Sequence, residues 1–140
     1  MSAASGTPGS EAPKLRGVVL VVDDEVRILS AVRRSLRREG YEILTAETPA
    51  EALSILEARS VDVILSDHKM PGMNGLEFLA LAASRRPEAV RLLITGWPAE
   101  VPARDLDALG IRALLAKPWD DAELKTALRS ALARSSGEAT

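Results

Sequence analysis

Residues Val18–Glu25 read VVLVVDDE: five apolar residues without a break, then three carboxylates in a row. An apolar run of this length without alternation suits a strand covered on both faces, as inner strands of parallel sheets are. The change at Asp23 marks where that strand leaves the core. Four further runs of strand length follow: Tyr41–Thr45 (YEILT), Val61–Leu65 (VDVIL), Val90–Thr95 (VRLLIT) and Ile111–Leu115 (IRALL). Several are rich in β-branched residues, which favour strands.

Between these runs the apolar spacing becomes helical. Val26, Leu29, Val32 and Leu36 recur at intervals of three and four within Val26–Arg38, and Gly40 supplies a stop. Thr48, Pro49 and Glu51 form a capping-box start for a helix that presents Ala52, Leu53, Ile55 and Leu56. Asn74 is placed to cap a helix over Leu76–Arg85, which Pro87 keeps from extending. The fourth segment, Trp97–Leu109, contains Pro98 and Pro102, so a helix there is short and starts late. Asp120 or Asp121 begins the last helix, with Leu124, Leu128 and Leu132 on one face. These alternations predict an α/β fold, a doubly wound (βα)5 three-layer sandwich around one five-stranded parallel sheet.

Length and composition narrow the function classes. A chain of 140 residues, 46% apolar and 27% charged, is enough for one globular domain with its own core. The absence of cysteine excludes disulfides, zinc–thiolate sites and thiol nucleophiles, and a single histidine excludes a multi-histidine metal site. A formal charge of −2 offers no overall attraction to nucleic acid or to anionic membrane. No apolar run approaches the 18 or more residues of a membrane span, and no basic start of a secretory signal precedes Lys14. The expectation is a cytoplasmic protein with a disordered leader over residues 1–14, one domain over 15–134, and a disordered tail over 135–140.

In a doubly wound sheet the functional crevice lies beyond the carboxyl ends of the strands. The expected ends carry Asp23–Asp24–Glu25, Ser66–Asp67, Thr95–Gly96 and Ala116–Lys117–Pro118. Clustered carboxylates resist ionising together unless a cation sits among them, and a hard oxygen-seeking ion such as Mg²⁺ suits them. A hydroxyl and an ammonium beside them could hold a phosphoryl group, whose charge must be neutralised during transfer.

VVDDE (21–25), LSDHKMPGMNGLEFL (65–79), LLITG (92–96) and LLAKPW (114–119) together resemble the receiver domains of two-component response regulators. The resemblance implies a flavodoxin-like fold and a switch that takes a phosphoryl group from a sensor histidine kinase or a phosphotransfer protein. It implies Asp67 as phosphoacceptor. The metal, Mg²⁺ or Mn²⁺, is then held by Asp24 and Asp67, by Asp23 mainly through a water, and by the backbone carbonyl of Lys69. Thr95, Gly96 and Lys117 become the phosphoryl-binding groups, with Pro118 often following through a cis peptide. Gly75 resembles the family's turn glycine, expected at positive φ.

The sequence also departs from that pattern. Many receivers place Tyr or Phe three residues before the active-site lysine, as a switch coupled to the threonine; here the pair is Thr95 and Leu114. Lys69 and Trp97 flank the approach of hydrolytic water, and a bulky indole there implies a long-lived acyl phosphate. His68 is expected as a partly exposed loop residue and Trp119 as a packing residue. Arg33, Arg34, Arg37 and Arg38 read as a solvated face or a kinase-docking patch. Output is assigned to an unknown downstream protein or to an output domain missing from this sequence, with no direct nucleic-acid or membrane contact. Two rivals stand beside this reading. One is a binding module of the same fold that is no longer phosphorylated. The other is an aspartyl phosphohydrolase, which generally has a second Asp where Lys69 stands.

Overall fold

The computed structural model of the chain describes residues 17–135. Strands β1 (Gly17–Val22), β2 (Tyr41–Ala46), β3 (Val63–Asp67), β4 (Val90–Thr95) and β5 (Ile111–Ala116) form one sheet. Their order is β2-β1-β3-β4-β5, with every neighbouring pair parallel. Helices α1 (Val26–Ser35), α2 (Pro49–Ala58), α3 (Gly75–Arg85), α4 (Ala103–Ala108) and α5 (Asp121–Ser135) follow the strands in turn. This is the doubly wound sandwich expected from the sequence. The chain runs outward from β1 to β2 and then crosses back to β3, so the switch point lies between β1 and β3. The expected leader, 1–14, and tail, 135–140, lie outside the described residues, apart from Ser135, which closes α5.

Alternation along β1 divides the core into two. Val19 and Val21 join Leu29 and Val32 of α1, Leu36 just after it, and Leu124, Leu128 and Leu132 of α5. Leu20 and Val22 point the other way, into Ala52 and Leu56 of α2 and Phe78, Leu79 and Ala82 of α3. Both faces of the sheet are therefore apolar, and the uninterrupted run Val18–Val22 follows from that. The buried polar side chains Asp23, Ser66, Asp67 and Thr95 lie where the strands end.

Several element boundaries differ from the expectation. β3 begins at Val63, not Val61, and continues to Asp67. Val61 is buried without belonging to the strand, and the next residue, Asp62, accepts the Val18 N–H on Oδ2 at 2.8 Å. α1 stops at Ser35 rather than Arg38, with Leu36 as its cap, while Gly40 at φ +84° turns the chain into β2. Val26, expected on the apolar face, is 55% exposed. Thr48 caps α2 by accepting the Glu51 N–H at 3.0 Å, but Glu51 accepts the Glu47 N–H at 2.8 Å, one residue beyond the N-cap N–H of a reciprocal box. The box at Asn74 and Glu77 is complete and starts α3. α4 is short and follows a 3₁₀ turn at Pro98–Glu100, as the two prolines require.

Candidate functional site

Each strand end delivers its polar residue to one cleft. Asp23 follows β1 directly and is 1% exposed, its N–H bonded to the Ala46 carbonyl at 3.1 Å as β1 and β2 part. Its Oδ1 accepts the Glu25 N–H at 2.8 Å and its Oδ2 accepts Lys117 Nζ at 2.8 Å. Asp67 is the last residue of β3. Its Oδ1 accepts the His68 N–H at 2.9 Å and lies 2.9 Å from Lys117 Nζ. Lys117 stands one residue past β5, anchored by its own N–H to the Thr95 carbonyl at 2.8 Å. Thr95 ends β4, and its Oγ1 accepts the Trp97 N–H at 3.0 Å. The cleft has a volume of about 320 Å³ and runs over Asp24, Asp67, Thr95, Gly96 and Lys117.

One carboxylate oxygen from each of Asp23, Asp24 and Asp67 lies within 4.8 Å of the others, with Asp24 exposed and the other two buried. Burial raises the Asp67 carboxyl above its ordinary pKa, and the charge of Asp23 adds to this; Lys117 and the His68 N–H work the other way without prevailing. For Lys117, burial favours the neutral amine, but hydrogen bonds to Asp23 and Asp67 outweigh it and hold the ammonium above its ordinary value. Three carboxylates against one ammonium leave a net negative charge that a divalent cation matches. Their oxygens are the donors such hard ions take. The residues present therefore fit a divalent metal.

A pH dependence follows from these directions. The folded state binds the Asp67 proton more tightly than the unfolded chain does. This carboxyl therefore favours folding at low pH, and that contribution is lost as pH rises from 3.8 through its raised pKa. Lys117 acts in another window: its stabilisation is complete below 10.5 and is lost as pH climbs through its own raised pKa. In chelator, Asp67→Asn gains stability relative to the parent as pH rises above 3.8. Paired denaturant titrations across the acid range measure that difference, and a flat difference contradicts the assignment.

The structure brings together Asp23, Asp24, Asp67, Thr95, Gly96 and Lys117, and the Lys117–Pro118 peptide is cis. Lys69 and Trp97 line one side of the same cleft: Lys69 Nζ lies 2.9 Å from Glu100 and 4.5 Å from the centroid of the half-exposed Trp97 ring. Leu114 is half-buried against the α2–α3 face of the core. Trp119 packs against the α1–α5 face and donates Nε1–H to Ser35 Oγ at 3.2 Å. Arg33, Arg34, Arg37 and Arg38 are all exposed.

Two expectations are corrected. His68 is not a partly exposed loop residue but is 9% exposed, its Nδ1 at 3.3 Å from Thr95 Oγ1. A lone imidazole after an acidic residue reads as polar loop, and no spacing in the sequence reveals that β4 covers it. Gly75 does not take positive φ; it opens α3, and a Cβ there would overlap the Asp67 carbonyl oxygen and lie 3.0 Å from the His68 Cα. Its task is close approach of backbones. The positive φ in this loop belongs to Gly72, at +85°. Gly75→Ala pushes α3 away from the end of β3 and costs about 1–3 kcal/mol, measurable by urea denaturation; an unchanged midpoint contradicts the overlap.

Comparison with known proteins places these observations. A family model, the response regulator receiver domain, matches residues 19–129. The chain is 39% identical over 118 residues to the hydrogenase transcriptional regulatory protein HoxA of Cupriavidus necator, covering 84% of this chain and 24% of that protein. It is 37% identical over 111 residues to the DNA-binding transcriptional regulator NtrC of Escherichia coli, 75% of this chain and 22% of that one. The chain thus spans about a quarter of the length of these curated relatives. Among solved structures, the signal receiver domain of an HD domain-containing protein from Pseudomonas fluorescens superposes with a TM-score of 0.82 at 34% identity, over 87% of this chain and 98% of that one. A CheY-like receiver domain from Methanospirillum hungatei gives 0.81 at 30% identity, over 87% and 98%. The extent of the family match, together with this likeness in fold, makes the chain a member of the response regulator receiver domains of two-component signalling.

Proposed function

We propose that this receiver accepts a phosphoryl group on Asp67 from a sensor histidine kinase or a phosphotransfer protein, with Mg²⁺ or Mn²⁺ as cofactor. The observation that carries the reading is a buried Asp67 whose Oδ1 is held by the His68 N–H and by Lys117, at the floor of an acidic cleft. The second oxygen, Oδ2, has neither of these partners and is the nucleophile. Its lone pair forms the O–P bond as the bond from phosphorus to the donor breaks, and that electron pair leaves with the donor's imidazole. Asp24, Asp67 and the Lys69 carbonyl would hold the cation; Asp23, both of whose oxygens are engaged, would act mainly through a water. When bound, the cation supplies charge neutralisation for the phosphoryl oxygens.

Lys117 donates to the transferred group from the side of β5, and Thr95 and the Gly96 amide from the side of β4. A Cβ at position 96 would meet nothing within 4 Å, so glycine leaves that side of the cleft open. Intact mass after incubation with acetyl phosphate and Mg²⁺ tests the reading. The expected result is a gain of one phosphoryl group, absent in Asp67→Ala and absent in chelator. A gain that persists in Asp67→Ala moves the acceptor elsewhere. No gain from either acetyl phosphate or a phosphorylated kinase leaves a receiver fold used only for binding.

The lifetime of the acyl phosphate depends on Lys69 and Trp97, which close one side of the cleft through the cation–π contact and the ion pair to Glu100. Removing the ring leaves the lysine held by Glu100 alone and admits water in line with the O–P bond. Trp97→Ala shortens the phosphoryl half-life about 2–5-fold, the range set by a contact of about 0.5–1 kcal/mol. Loss of label from the phosphorylated protein measures it, and an unaltered half-life removes Trp97 from this role.

Among the described residues no helix is long and apolar enough to cross a membrane. HoxA and NtrC are transcriptional regulators several times longer than this chain. Output here passes to a downstream protein or to an output domain in a longer chain, through changed protein contacts rather than direct contact of the receiver with nucleic acid. Phosphorylation adds about −1.5 to −2 of charge in the cleft, enough to reorganise those contacts.

A further inference from the structure

The buried imidazole beside the phosphoacceptor has no part in the chemistry above. His68 is 9% exposed and Thr95 is 1% exposed, and 3.3 Å separates His68 Nδ1 from Thr95 Oγ1. Oγ1 already accepts the Trp97 N–H. A threonine hydroxyl carries a single hydrogen. Donation of that hydrogen to a bare Nδ1 lets each of these buried groups act once, one as donor and one as acceptor. The alternative, an Nδ1–H pointing at Oγ1, puts two donors on the hydroxyl oxygen and leaves its own hydrogen without a use in the resting state.

The usual aromatic relay is absent on the other side of Thr95. Leu114 pairs with Leu93 in the β4–β5 register and packs among apolar side chains, with no hydrogen-bonding group and no ring. The backbone of His68, in contrast, is tied to the Asp67 carboxylate, to β4 and to the start of α3. Its N–H donates to Asp67 Oδ1 and to the Ile94 carbonyl, and its carbonyl accepts the N–H of Gly75, the first residue of α3, at 2.6 Å.

We propose that His68 is the positioning partner of the Thr95 hydroxyl. Arrival of a phosphoryl group on Asp67 takes the hydroxyl hydrogen away from Nδ1, and the released ring carries the change into the β3–α3 loop. The proposal rests on Asp67 being phosphorylated, as set out above. A separation of 3.3 Å is long for a hydrogen bond, so the contact yields to a charged phosphoryl oxygen, which is the stronger acceptor. One hydrogen and two competing acceptors make the two states exclusive.

His68 is the sole histidine of the chain, so its ring resonances in tag-free protein need no assignment by elimination. Long-range ¹H–¹⁵N spectra, recorded where the imidazole is neutral, read the tautomer and the hydrogen bond at Nδ1 directly. The expected resting state has the proton on Nε2 and a bonded Nδ1. Thr95→Val moves Nδ1 downfield to the unbonded position, and Thr95→Ser restores it. Beryllofluoride with Mg²⁺, a tetrahedral phosphoryl mimic, produces the same downfield shift in the parent protein. A resting Nδ1–H tautomer overturns the proposal, as does an Nδ1 resonance indifferent to Thr95→Val.

The two readings fail separately. If Asp67 takes no phosphoryl group, intact mass and the beryllofluoride arm stay silent while Thr95→Val still shifts the ring; the contact then stands and the switch falls. If the mass gain is present but Thr95→Val leaves the ring unchanged, phosphorylation stands and His68 has no positioning role.

Discussion

Lys117→Met lowers the rate of phosphoryl uptake from acetyl phosphate about 10²–10³-fold, the usual cost of removing one donor aimed at developing charge. The same substitution tightens metal binding. In the resting protein the ammonium lies 2.8 Å from Asp23 and 2.9 Å from Asp67, so it occupies the charge that a divalent cation would otherwise satisfy. Methionine keeps much of the side-chain volume and removes the competitor. The two buried carboxylates then repel each other, which lifts Asp67 further above its ordinary pKa until a cation arrives. Stopped-flow uptake and Mg²⁺ titration by tryptophan fluorescence are the paired measurements. Slower transfer with tighter metal binding is the expected combination. Slower transfer with weaker metal binding makes Lys117 a structural support of the site instead of its rival cation.

Phe78→Ala lowers stability by about 3–5 kcal/mol, the range for truncating a fully buried aromatic ring. Phe78 heads the largest side chains that are completely buried, in the same core cluster as Leu20 and Val22 of β1 and Ile64 of β3. For a domain whose total stability is about 5–15 kcal/mol, that is a large share. The melting temperature falls by roughly 10–20 °C. Scanning calorimetry is the measurement, and a shift of only a few degrees means that the space closes after truncation. Because α3 begins at Gly75, against the carbonyl of Asp67, loosening it also disturbs Asp67.

The strand pattern was legible because burial on both faces of a sheet leaves little choice of residue. β1, β2, β4 and β5 match their expected runs to within a residue at each end. β3 does not, because apolar periodicity reports burial and not pairing. Val61 is buried as its side chain requires, yet the ladder begins only at Val63. α1 ran short for a related reason: Leu36 is 2% exposed, but it sits in the turn that leaves the helix. The acidic, hydroxyl and ammonium residues of the cleft were legible because strand ends are the places where polar groups interrupt an apolar core. His68 was not legible. Its burial depends on β4 lying over the residue that follows β3, a contact across 27 positions of sequence that no local pattern encodes. Gly75 was singled out for the wrong physical reason, since glycine looks the same in sequence whether it serves positive φ or a missing Cβ.

The ion pair between Lys117 and Asp23 spans 94 residues of chain. As a ribosome releases the polypeptide, β1 and β3 are available long before β5, the last strand of the described residues. Until that strand adds to the edge of β4, the two carboxylates face each other without their ammonium. A chain that has emerged only through β4 carries Asp23 and Asp67 but not Lys117. The charge cluster is therefore completed late in synthesis, by the strand that completes the sheet and just before the helix that covers it.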